Sequence, residues 1–214
     1  MKFKKLLAGA LVAVCAFMLV GCGQMTAKQS LESAVESCTS IETSCNTMQN
    51  GDTSASGYSN PFGLSDATTA KLEEQGEQVY EATTEFAQVF VQFGGEAATL
   101  LVKAPKLLAD ETAMGLITEQ EVATLSDAAN KLKNVESWLK AKAQDIVSKD
   151  NQTDKIMQDL YAAVIGGDVE GLANQYYNIT AQMLNIMKEA KTKLSEVVTA
   201  VQNINTVVNK YVVA

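Results

Sequence analysis

The chain has 214 residues, 17 basic and 25 acidic, with no histidine, and every basic residue is a lysine. Without histidine there is no Ser-His-Asp or Cys-His pair, no His-ligated zinc and no Glu-x-x-His di-iron site. Without arginine there is no bidentate clamp for carboxylate or phosphate. The acidic balance argues against nucleic acid and against anionic headgroups as partners, since both require a basic surface.

The N-terminus opens on Met1-Lys2-Phe3-Lys4-Lys5, followed by an apolar run of 15 residues from Leu6 to Val20. A membrane-spanning helix needs about 20 residues, whereas a basic start before a shorter apolar stretch is the pattern of a secretory signal. The run ends in Leu19-Val20-Gly21-Cys22, which resembles the lipobox of bacterial lipoproteins. That resemblance covers residues 1–24 and nothing beyond. It implies a diacylglyceryl thioether on Cys22, cleavage before it, and acylation of the new amino terminus. Several acyl chains on one residue anchor stably where a single chain binds only marginally. Gly23 stands where the family's inner-membrane retention signal has aspartate, which favours the outer membrane in an organism that has one. The implied organisation is a signal peptide over 1–21, a lipidated tether over 22–25, and one domain over 26–214. Loss of Lys2, Lys4 and Lys5 with the signal would leave 14 lysines against 25 acidic residues, a net charge of −11.

Past the tether, strand-like alternation is missing, and apolar residues recur at steps of three and four. A first helix is predicted over about 26–50. It carries Cys38 and Cys45. An oxidising envelope compartment favours a disulfide between them. On one continuous helix, however, they would lie about 10.5 Å apart, beyond the roughly 7 Å that a disulfide spans. Either the helix breaks at Thr39-Ser40 and they pair, or both are core thiols. The stretch from Asn50 to Pro61, rich in Gly, Ser, Asn and Asp, is the clearest loop, and the loop region extends to about residue 65.

A second helix is predicted over 66–109, with an inward line through Leu72, Gly76, Val79, Thr83, Phe86, Phe90, Phe93, Ala97, Leu100, Ala104 and Leu107. Interruptions are expected at Gly94-Gly95 and Pro105. Phe86, Phe90 and Phe93 just ahead of the glycines either line an apolar slot between helices or form aromatic core packing. Glu73, Glu77, Glu81 and Glu85 repeat at a spacing that disfavours an isolated helix. Against an antiparallel third helix, Lys142, Lys149 and Lys155 would fall opposite them.

The third helix is predicted over 118–165. Thr118 with Glu121 reads as a capping box. Its inward line runs from Val122 through Leu139 and Ile146 to Met157, Leu160 and Val164, with an interruption expected at Lys149–Gln152. Glu136 falls on that line unless a small rotation substitutes Val135. Trp138 lies beside the line and is expected to be partly exposed. Gly166-Gly167 stops this helix and Asp168 can cap the next, over 168–213, where Tyr176 and Tyr177 pair near the turn. Exposed Trp and Tyr are common binding anchors, so Trp138, Tyr176 and Tyr177 are the candidate partner contacts. Three rods of similar length joined by short links, with a shorter fourth helix, point to an all-α, elongated antiparallel bundle packed along heptad-like seams.

No catalytic or metal-binding set emerges, and no cofactor beyond the covalent lipid. The expected function is that of a lipid-anchored, non-enzymatic envelope protein acting as a protein-binding or spacer module. Its partners would be the membrane, through the lipid, and another envelope protein. The alternative is a bundle binding a small apolar ligand near Phe86–Phe93.

Overall fold

The computed structural model describes residues 25–49 and 62–212. Its elements are α1 (Ala27–Gln49), α2 (Asp66–Ala109), α3 (Glu111–Gly115), α4 (Glu119–Ala163) and α5 (Val169–Tyr211), with no strand among the described residues. The protein is an all-α helical bundle. Its long helices have 44, 45 and 43 residues, about 65 Å each at 1.5 Å per residue.

Local chemistry sets the boundaries. Thr26 and Gln29 cap α1 reciprocally: the Gln29 amide donates to Thr26 Oγ1 (3.2 Å), and the Thr26 amide to Gln29 Oε1 (2.9 Å). Ser65 caps α2, and Asp110 closes α2 while its carboxylate accepts from the Ala113 amide to start α3 (2.9 Å). The predicted Thr118–Glu121 capping box opens α4, and Asp168 caps α5 through the Gly171 amide (2.8 Å). Gly166 takes φ +90° after α4, a conformation that other L-residues rarely adopt.

Consecutive long helices run antiparallel, so α2 and α5 run parallel. Gln75 reaches Tyr177, Glu96 reaches Asn205, and Lys103 reaches Asn209. α4 meets α5 in antiparallel fashion, with Trp138 on Glu189 and Glu121 on Lys210. α1 lies parallel to α4, Ser30 on Ser126 and Ser40 on Glu136, and also packs on α2. The ring order is therefore α1–α2–α5–α4, with α2 and α4 on a diagonal. This corrects the expected ion pairing. Glu85 is paired with Lys191 of α5, whereas Lys142 and Lys149 of α4 face Asp145 on their own helix, and Lys149 also donates to Gln182.

The half of the bundle that contains α1 has four helices and the main core: Leu31, Ile41, Phe93, Leu100, Leu132, Leu194 and Ile204 are each at most 1 % exposed. Among the described residues, only α2, α4 and α5 continue beyond the end of α1. There the buried line of α2 departs from the predicted one. From Phe90 onward the predicted positions are buried, but nearer the start of the helix the buried residues are Thr68, Gln75 and Ala82, while Gly76 is exposed. With no α1 beside it, α2 turns its inward line towards α5. The Gln75 amide is satisfied there, donating to the Tyr177 carbonyl (3.0 Å) and accepting from the Thr180 hydroxyl (2.6 Å). A buried polar side chain requires such partners.

The predicted interruptions do not occur. α2 continues through Gly94-Gly95 and Pro105, and α4 through Lys149–Gln152. Pro105 is exposed, while its neighbours Ala104 and Leu107 are buried, so packing on the inner face outweighs the one backbone hydrogen bond that proline removes. The rotation at Glu136 occurs as expected: Val135 is buried, and Glu136 is half-buried, bound by Ser40 (3.1 Å) and Lys140 (2.7 Å).

Candidate functional site

Cys22 lies outside the described residues, which resume at Met25. The start of α1 fixes which end of the bundle lies next to it. Thr26, Ala27 and Lys28 share a shallow, solvent-open recess of about 300 Å³ with Leu108, Glu111, Met114 and Gly115. The end at the start of α1 is closed by Glu121, which is buried and accepts from Thr118 Oγ1 (2.9 Å), Lys210 (2.8 Å) and the Tyr211 hydroxyl (2.7 Å). The Lys210 ammonium foremost, then the Thr118 amide and the Tyr211 hydroxyl, hold its carboxyl down at about 2.

Of the residues singled out in the sequence, the phenylalanines form core packing. Phe90 and Phe93 are buried, and Phe86 meets Phe90 edge-on with ring centroids 4.6 Å apart. Cys38 and Cys45 are free and buried. α1 is unbroken through Thr39-Ser40, so the two thiols stand two turns apart and the disulfide alternative does not form. Burial, with Glu42 adding, pushes the Cys38 thiol up to about 12, and burial raises Cys45 further, which leaves both as unreactive core groups.

Trp138 is half-buried against the core, and its indole N–H donates to Glu189 (2.9 Å). Tyr176 and Tyr177 are half-buried near the distal end. Burial, then Asp150 and Asp154, raises the Tyr176 hydroxyl above its ordinary value. None of the three is among the exposed large apolar side chains.

Those exposed side chains lie elsewhere, and one group stands at the end farthest from the start of α1. Tyr161 is 65 % exposed, Val164 51 % and Ile165 96 %. Val164 had been expected in the core. The inward register carries to it, but α4 ends at Ala163, and among the described residues no helix faces it. Phe62, at the entry to α2, packs its ring on Tyr161 with centroids 5.2 Å apart. Glu170 clamps the same end, accepting from the Ser65 amide and the Thr68 hydroxyl. The Thr68 contact foremost, then Ser65, holds the Glu170 carboxyl below its ordinary value. The apolar tip therefore sits on the end of α4, beside the starts of α2 and α5, which Glu170 ties to each other.

Among the described residues there is no group of three or more His, Cys, Asp or Glu side chains able to hold a metal ion, and no helix long and apolar enough to cross a membrane. Comparison with known proteins found no matching family model, no matching curated protein and no matching solved structure.

Proposed function

We propose that this chain is a lipid-anchored, non-enzymatic protein of a bacterial envelope that works by contact, holding an apolar tip at the far end of a stiff bundle. The tether rests on Leu19-Val20-Gly21-Cys22. The observation that carries the contact reading is the exposed Tyr161–Val164–Ile165 cluster, about 65 Å of helix away from the start of α1. Clustered exposed apolar and aromatic side chains on a rigid support are the usual anchor of a protein–protein contact. The partner is another envelope protein with a complementary apolar patch.

The test is photocrosslinking in the native envelope, with the reactive residue placed at Ile165 in the full-length chain and, as a control, at exposed Asn130 in the first third of α4. A discrete heterologous adduct is expected from position 165 and not from 130. Ile165→Glu should reduce capture about tenfold or more, the scale of a hot spot. Because the residue is 96 % exposed, it should leave stability within about 0.5 kcal/mol. Equal labelling from both positions, or none from 165, would overturn the contact reading.

A further inference from the structure

α2 has an outer face that no other described residue covers. Positions three and four apart form one line along a helix, and on α2 that line runs through Ala87, Val91, Gly95, Ala98 and Val102. It continues outward to Tyr80 and Ala109 without meeting a charge, over about 44 Å. Val91 is 69 % exposed and Val102 63 %. The outward faces of the other long helices are polar, with Asn178, Gln182 and Lys188 on α5 and Lys131, Asn134 and Gln144 on α4. Gly94 and Gly95 have open space where a Cβ would stand. Nothing within the chain requires glycine there, and glycine is a destabilising choice inside a helix. Small residues at such a place let a second helix approach closely.

We propose that this face is the interface of a homodimer in which α2 packs antiparallel on α2 of a second copy. The line matches itself under a twofold axis between Gly94 and Gly95. Val91 then meets the partner's Ala98, Ala87 meets the partner's Val102, and Tyr80 meets the partner's Ala109. Such a patch, facing itself, forms a closed isologous contact. Charge fits the same register. Glu81 and Lys106, both exposed, flank the line on the same side, so each Glu81 stands beside the partner's Lys106, twice over, as flanking pairs do in coiled coils. The outer face turns acidic at Asp66, Glu73 and Glu77, which run past the end of the partner's α2 to the level of its exposed Asp110 and Glu111. A parallel pair in register would stack these carboxylates on their own copies. The proposal goes beyond the tip reading and does not depend on it. In the antiparallel pair the two α1 starts lie at opposite ends.

Cysteine crosslinking of the full-length chain in its native membrane tests this, because Cys38 and Cys45 are buried and, on the lipoprotein reading, Cys15 leaves with the signal and the Cys22 thiol is taken up in the thioether. Under mild oxidation, Val91→Cys with Ala98→Cys in one chain should give a species of twice the monomer mass, whereas either substitution alone should not. Efficient linking by the single variants would indicate a parallel pair and overturn the proposal. A species with a different protein would assign the face to another partner, and absence of linking despite thiols open to maleimide would also overturn it. In the double-cysteine background, Glu81→Lys should lower the yield about fivefold, and adding Lys106→Glu should restore it. Failure of that rescue, with helicity unchanged by circular dichroism, would overturn the register.

Discussion

Phe93→Ala is expected to cost about 3–5 kcal/mol in urea unfolding, a large share of the roughly 5–15 kcal/mol that holds a domain of this kind together. Phe93 is 1 % exposed and belongs to the cluster that joins α1, α2, α4 and α5. Removing the ring leaves a void that four packed helices cannot collapse around. Trp138→Ala should cost clearly less, because the indole is half-buried and packs on the rim of that cluster. If the two variants lose the same stability, Trp138 is a core anchor and its placement at the rim is wrong.

Glu121→Gln is expected to destabilise the protein at neutral pH by an amount that shrinks as the pH falls. The carboxyl sits at about 2, against 4.5 for an ordinary glutamate, because Lys210, Thr118 and Tyr211 all donate to the ionised form. A depressed carboxyl contributes in full above the unfolded value and loses its contribution as the pH drops towards the folded one. The window is therefore from about 4.5 down to about 2. Melting temperatures of both proteins at pH 7, 4 and 2.5 should show the gap widest at pH 7 and reduced to about a quarter at 2.5. A gap that stays constant would mean that the Glu121 carboxylate does not hold the end of α5 to the start of α4.

The helix ends were legible because each is fixed by neighbours in the chain. Thr118 with Glu121, Asp168, and the glycine pair at 166–167 all act within four residues. Thr26 and Gln29 cap α1 at the same spacing, but that cap was not read from the sequence. The inward face of each helix was legible wherever partners surround it, as from Phe90 to Leu107. Periodicity gives the direction of the buried line but not the identity of the helix facing it. The diagonal placement of α2 and α4, and with it the pairing of Glu85 with Lys191, therefore could not be read. For the same reason the first half of α2 was misplaced: its buried line depends on where α1 stops, a fact about a different segment. Gly94-Gly95 and Pro105 show propensity overridden by packing, since Phe93, Ala97, Ala104 and Leu107 hold the backbone helical on the inner side. Val164 failed in the opposite sense. Its register is right, but an inward position beyond the end of its helix has nothing to face. The apolar tip arises from that circumstance, and in the sequence it looks like one more turn of core.

Lipid attachment is the premise on which the proposed role in the envelope rests, and it is read most directly by the mass of the N-terminal peptide of the protein extracted from its native membranes. The expected peptide begins at Cys22 and carries a diacylglyceryl thioether together with an acyl chain on its amino group. The Cys22→Ser protein should carry neither and should stay unprocessed or leave the membrane. A peptide that begins at Met1, or one that begins elsewhere without lipid, would contradict the anchored envelope role.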